Sequence, residues 1–205
     1  MTRRLLLATR SAGKVRELAA ILAAAGFATE TLDTAGIAER PDEAALELFD
    51  TFEANALAKA RHFFARSGGI PTIADDSGLE VRALGGRPGV QSKRWSERPD
   101  LSGQALDDAN NALLLTSLDR LADRTARYVC VVAFVDGERE IVTRGATSGL
   151  IARVPCGTSG FGYDPYFESD ELDVSFGVAT GEEKERVSHR GRAVRALLVA
   201  LSPST

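Results

Sequence analysis

The chain has 205 residues, of which 44% are hydrophobic and 26% charged. That length buries roughly 70% of the unfolded surface, and the composition excludes a disordered or membrane-spanning chain. With 25 basic and 29 acidic residues the net charge is -4, so no general nucleic-acid or membrane surface is expected, and a small anionic ligand must be held by local groups.

The N-terminal stretch Met1 to Ala8 is too short for a signal-peptide core, and no segment approaches the length of a membrane span. Within it Leu5-Leu6-Leu7-Ala8 predicts a buried strand. Thr9-Arg10-Ser11-Ala12-Gly13-Lys14 then leads into a helix with Val15, Leu18, Ile21 and Leu22 on one face and Gly26 as its stop. A strand, a short polar loop and a helix N-terminus make an anion seat, to which Arg10 and Lys14 add charge; a solvated basic loop is the other reading. Thr29 to Asp50 predicts a strand and then a loop with an acidic cluster, Glu39, Asp42, Glu43 and Glu47, around Pro41.

A second helix is predicted from Asp50 or Thr51, with Glu53 completing a capping box. Its apolar stripe is Phe52, Ala56, Ala60, Phe63 and Phe64; Asn55 and Lys59 stack one turn apart on a neighbouring face that reads more readily as solvated. Ile70 to Ala74 predicts the end of a buried strand, and Asp75-Asp76-Ser77-Gly78 a turn at its carboxyl end, where ligand sites of open α/β sheets lie. Adjacent aspartates folded inward need a counter-charge, which a divalent cation would supply; an ordinary polar turn accounts for the same residues.

Leu84 to Val90 predicts a glycine-rich loop, and Trp95 after it a packing anchor. Ala105 to Leu121 predicts a long helix with Leu106, Ala109, Leu113, Leu114 and Leu118 inward and no catalytic character. Arg127 to Val135 and Glu140 to Thr147 predict an antiparallel pair joined at Asp136-Gly137, so the sheet is expected to be mixed and long. Cys130 lies in that apolar run; with Cys156 it forms no metal spacing, which points to buried reduced thiol and a reducing, cytoplasmic compartment.

Gly157 to Pro165 combines three glycines, the rings of Phe161 and Tyr163, and Asp164 before Pro165. A base-stacking pocket fits the mixture, as does a loop whose aromatics plug the core. Thr180 and Glu183 predict a capped turn carrying Lys184, and Ser188 a second helix starting with His189 and Arg190. Cations in a first helical turn oppose the dipole, which suggests a use such as reading a base edge; solvated side chains are the alternative.

In this order the stretches resemble the non-canonical purine nucleoside triphosphate pyrophosphatases, also called inosine/xanthosine triphosphate pyrophosphatases. The resemblance runs from Leu5 to Leu201 and rests on Ala8-Thr9 to Lys14, Thr51-Phe52-Glu53-Ala54-Asn55-Ala56, Ala74-Asp75-Asp76-Ser77-Gly78-Leu79, Leu84-Gly85-Gly86, Gly160-Phe161-Gly162-Tyr163-Asp164-Pro165 and Ser188-His189-Arg190. It implies a single two-lobed α/β domain over 1–205, built on a long mixed β-sheet flanked by helices, with the nucleotide site in the cleft between lobes. It also implies a homodimer that hydrolyses dITP, ITP and XTP to monophosphate and pyrophosphate with Mg2+, and no nucleic-acid or membrane partner.

By the same resemblance, Thr9, Arg10, Ser11, Ala12, Gly13 and Lys14 hold phosphates, Asp76 is general base and metal ligand, and Ser77 touches substrate. Phe161, Gly162, Tyr163 and Asp164 form the base pocket, Lys184 contacts substrate, and His189 with Arg190 recognises the 6-oxo edge. Asp75 and Glu47 are the further candidate metal ligands. The chain departs from the family in two places. Ser11 stands where asparagine is usual, and Glu47-Leu48-Phe49 stands where the family shows Glu-Thr-Gly, which keeps the carboxylate and loses the glycine. Three other readings stay open: a nucleotide-binding regulator with little turnover, a pyrophosphatase for modified pyrimidine triphosphates, and a phosphatase with a nucleophilic aspartate.

Overall fold

The computed structural model describes residues 3–202. Met1 and Thr2 of the N-terminal stretch, and residues 203–205 of the expected 1–205 domain, lie outside them. The sheet has six strands: β1 (Arg3–Leu7), β2 (Phe27–Thr31), β3 (Thr72–Val81), β4 (Thr125–Val135), β5 (Glu140–Ile151) and β6 (Phe167–Ser169). Their order is β2-β1-β3-β4-β5-β6. β1 runs parallel to both β2 and β3, whereas β5 and β6 are antiparallel, so the sheet is mixed as the sequence predicts. The turn between β4 and β5 is closed by Asp136, whose side chain accepts from the Glu138 and Arg139 N–H groups.

Among the described residues five helices accompany the sheet: α1 (Ala12–Ala24), α2 (Phe52–Arg66), α3 (Gly103–Ser117), α4 (Gly181–Val187) and α5 (His189–Leu201). Pro41–Glu47, in the region expected to be loop, forms a short 3-10 segment. No helix among the described residues is long and apolar enough to cross a membrane.

The chain divides into two compact units. The first comprises Met1–Asp76, Cys130–Gly145 and His189–Thr205. Its core joins Leu5 and Leu7 of β1, Leu18 and Leu22 of α1, Ile73 of β3, Val132 and Phe134 of β4, and Val194 and Leu197 of α5. β1 is an unbroken apolar run because both its faces are covered: Leu5, Leu6 and Leu7 are all buried. The second unit comprises Ser77–Val129 and Ala146–Ser188. Here Leu79 and Val81 pack with Leu114 of α3 and Leu118 at its C-cap around three rings, Tyr128, Phe167 and Phe176. Phe167 lies 4.6 Å from Tyr128 and 5.1 Å from Phe176 between ring centroids, within the range of favourable aromatic pairs.

Two sequence expectations are corrected here. Asp75 to Gly78 is not a turn, because β3 continues through it to Val81. The strand carries these residues because each buried aspartate finds partners on its own face, and because Gly78 leaves room for a neighbouring chain segment: a Cβ there would collide with the Gly89 carbonyl and the Ser92 hydroxyl. The helix expected over Ala105 to Leu121 is α3, ending at Ser117, and Leu113 is 38% exposed while Asn110 and Asn111 are buried in its place.

Candidate active site

Successive side chains of a strand point to opposite faces, so β3 separates the two carboxylates that the sequence sets side by side. Asp75 is fully buried. Its Oδ2 lies 3.2 Å from Lys14 Nζ and accepts from Arg190 Nε and Nη2, each at 3.2 Å. Arg190 Nη1 also donates to Glu17. Burial pushes the Asp75 carboxyl up, but Lys14, Arg190 and Lys59 outweigh it and hold the group well below the ordinary range. Burial opposes the charge on Arg190 too; Asp75 and Glu17 more than compensate, and it stays cationic. The Cys130 thiol, 3.8 Å from Asp75, is pushed up by burial and by that carboxylate, and remains protonated.

Asp76 has a different environment. Its Oδ2 accepts from Asn55 Nδ2 at 2.8 Å, and its Oδ1 has Lys59 Nζ 3.7 Å away. That ammonium donates at 2.7 Å to Glu47 Oε1 and at 2.5 Å to the Asp75 carbonyl. Burial raises the Asp76 carboxyl, and Lys59, Lys14 and Asn55 only partly offset it. Lys59 itself is driven toward the neutral form by burial, yet Glu47, Asp76 and Asp75 prevail and keep it charged. The solvated face that the sequence favours for Asn55 and Lys59 is not found: they are 0% and 6% exposed, and they turn the inner face of α2 toward Asp76. Asn55 also holds the backbone of Phe49, accepting from its N–H at 2.9 Å and donating to its carbonyl at 3.3 Å. The segment that lacks the family's glycine is thereby fixed, with Glu47 still against Lys59.

At the N-terminus of α1, Ser11 is the N-cap: its hydroxyl accepts from Lys14 N–H at 3.4 Å, and the Thr9 hydroxyl accepts from Ser11 N–H at 3.2 Å. Serine and asparagine cap helices about equally well, so the departure at Ser11 preserves the helix start. Ala12 and Gly13 occupy the first turn, where amides have no intrahelical acceptor. Arg10, expected as a phosphate-binding cation, donates to Glu43 at 3.1 and 2.9 Å and lies 3.4 Å from Asp33. Its charge is already matched.

The second unit presents the aromatic loop. Asp164 Oδ2 accepts from Phe161 N–H at 2.8 Å and from Lys184 Nζ at 2.6 Å. Lys184 sits on α4, capped by Thr180 and Glu183 as the sequence predicts, with its ammonium 5.1 Å from the centre of the Phe161 ring. Gly160 has φ +78, and a Cβ there would strike the Asp164 carboxylate. Gly162 N–H donates to Asp107 Oδ2 at 2.8 Å, and its carbonyl accepts from Asn111 Nδ2 at 3.0 Å.

Several expected contacts are rearranged. Tyr163 is not a stacking ring: it is buried in the unit's core and its hydroxyl donates to the Ser92 carbonyl at 2.7 Å, whereas the Phe161 ring is half-buried. Asp164 closes the loop on itself. The Arg190 fork expected on a base carbonyl lies on Asp75, and His189, also buried, packs its carbonyl where a Cβ on Gly145 would go. Ser77 is half-buried on β3. Sequence reasoning misses Glu17, Asp107 and Asn111, and favours a solvated face for the buried Asn55 and Lys59. The available signal was the spacing of the last four, two pairs each one helical turn apart.

Among the described residues no three His, Cys, Asp or Glu side chains are grouped to cage a metal. Mg2+ needs no such cage, since it is usually held by one or two carboxylates together with substrate phosphates. The donors around Asp76 fit that pattern: they are hard oxygens, and the buried Asp76 carboxylate is incompletely compensated, with the Lys59 ammonium 3.7 Å from its Oδ1. Asp75 fits poorly, because its carboxylate is on the other face, wholly buried and occupied by Lys14 and Arg190.

The Ham1 family model matches residues 5–200. A dITP/XTP pyrophosphatase of Nocardia farcinica is 49% identical over 205 residues, covering 97% of this chain and 95% of that protein. A solved Ham1 protein from Coxiella burnetii superposes with a TM-score of 0.81 at 31% identity, covering 98% of both chains. A solved nucleoside-triphosphatase, dITP/XTP pyrophosphatase, from Mycobacterium abscessus is 41% identical with a TM-score of 0.70, covering 95% of this chain and 98% of that one.

Proposed function

The chain belongs to the Ham1 family, and on that premise we propose that it hydrolyses deaminated purine nucleoside triphosphates, dITP, ITP and XTP, to the monophosphate and pyrophosphate. The observation that carries the site assignment is Asp76: a carboxylate 6% exposed, raised by burial, and oriented by Asn55 and Lys59. A raised carboxyl is a better proton acceptor than an ordinary one, which suits a general base. In this reading Asp76 takes a proton from the attacking water, the water oxygen bonds to phosphorus, and the bond between the α and β phosphates breaks as pyrophosphate leaves. Lys14 and the open amides of Ala12 and Gly13 receive phosphate charge at the start of α1, with Thr9 and Ser11 shaping that turn. Phosphoryl transfer asks mainly for such positioning and charge neutralisation.

Asp76 and Glu47 would hold Mg2+ together with substrate phosphate oxygens. When bound, the ion supplies charge neutralisation on the phosphates. Phe161 offers the ring against the base, and Lys184, fixed by Asp164, lies beside it. Rejection of a 6-amino purine requires N–H donors at that edge, a task assigned to His189 and Arg190, with Asp75 and Glu17 holding the guanidinium in place. A single domain acting as a cytoplasmic homodimer completes the reading.

Product analysis with ITP and with ATP, each with and without Mg2+, tests it. IMP and pyrophosphate from ITP, dependent on metal and far slower from ATP, is the expected result. Orthophosphate as first product contradicts the chemistry, and ITP binding without turnover contradicts an enzyme.

A further inference from the structure

The loop Gly160 to Asp164 has positive φ at Gly160 and Gly162, so its own backbone preferences do little to hold one conformation. What fixes its middle is α3. Asp107 and Asn111 are four residues apart on one helical face, and between them they take both backbone groups of Gly162, the N–H at 2.8 Å and the carbonyl at 3.0 Å. The adjacent Asn110 ties a second segment to the same helix: it accepts from Ser96 N–H at 2.8 Å and donates to the Lys93 carbonyl at 3.1 Å. Tyr163 then closes the circuit through its hydroxyl on Ser92.

Helix α3 is independently anchored in the core of this unit by Leu114 and Leu118. The polar side chains one to three turns earlier are therefore not needed to attach the helix. Burying them is unfavourable unless they are satisfied, and their partners are loop backbone groups. Asp107 is a carboxylate acceptor, and a charge-assisted bond holds an N–H more firmly than a neutral one.

We propose that Asp107 and Asn111 are positioning residues for nucleotide binding: by gripping Gly162 they set the height and tilt of the Phe161 ring against the base. The inference rests on the reading of Gly160 to Asp164 as the base loop, and the test separates the two. Steady-state kinetics with ITP and thermal unfolding are measured for Asp107→Ala, Asp107→Asn, Asn111→Ala and Phe161→Ala. Losing a charge-assisted hydrogen bond to the loop should raise KM for ITP about tenfold in Asp107→Ala, with kcat changed by no more than about twofold. Asp107→Asn keeps an acceptor for Gly162 N–H and should recover most of that loss, while Asn111→Ala, which leaves the N–H contact intact, should raise KM less than Asp107→Ala. A higher KM in Phe161→Ala with unchanged KM in Asp107→Ala and Asn111→Ala, whatever their unfolding temperatures, overturns the positioning role and leaves the base loop standing. Unchanged KM in Phe161→Ala as well overturns the base-loop reading itself.

Discussion

Asp75 and Asp76 are neighbours in sequence with opposite electrostatic situations. Asp75 is ionised by its surroundings: Lys14 and Arg190 share its Oδ2, and removing the carboxylate would leave a buried guanidinium short of a partner. Asp75→Ala is therefore expected to destabilise the fold by about 3–5 kcal/mol, measured by urea unfolding. Its lowered carboxyl also fixes a pH dependence. The unfolded chain takes up the proton first, so the stabilisation is present above the ordinary aspartate value of 3.8 and is lost as pH falls below it. Unfolding free energy measured downward from about pH 5 should fall more steeply in the wild type than in Asp75→Asn. Arg190→Ala should narrow the ratio of kcat/KM for ITP over ATP; an unchanged ratio would remove Arg190 from base selection.

At the scale of elements, α2 and β3 together hold the Asp76 carboxylate, through Asn55 and Lys59. Thr51 caps α2 by accepting from Ala54 N–H at 3.2 Å, so Thr51→Ala should lower stability by about 1 kcal/mol and leave product identity unchanged. Gly78→Ala belongs to the same scale. A methyl group there meets the Gly89 carbonyl, a backbone atom that cannot rotate away, and a loss of at least about 2 kcal/mol is expected on thermal or urea unfolding. Both effects follow from backbone demands that sequence reveals unevenly. The Thr51 region was legible as a helix start, but the expected Asp50–Glu53 capping box does not form: Thr51 is the cap, and Glu53 pairs with Arg144 instead. The continuation of β3 through Asp-Asp-Ser-Gly was not, because these residues are common in turns and only long-range partners, Arg190, Lys14 and Asn55, make them tolerable inside a strand.

For the whole molecule, the apolar runs of β1 and β4 and the amphipathic α1, α2 and α5 made the mixed α/β architecture readable from periodicity. The site was readable as a set of motifs and much less as a set of contacts. Lys14 and Lys184 lie in the expected stretches, but Arg10 is matched to Glu43, Tyr163 to Ser92 and Arg190 to Asp75, pairings between residues 33, 71 and 115 positions apart. Nothing local encodes such partners. The same holds for Asp107 and Asn111, whose helix looks purely structural until the loop it grips is placed beside it.

Asp76 is the group proposed to activate water, and Asp76→Asn tests that role most directly. Asparagine keeps the shape of the side chain and removes a buried charge whose ionisation burial disfavours, so the variant should be at least as stable as the wild type near neutral pH. Its rate of pyrophosphate release from ITP, at saturating substrate and Mg2+, should fall by about 10²–10⁴, the range typical of a lost general base. A folded Asp76→Asn protein that releases pyrophosphate near the wild-type rate would contradict the assignment.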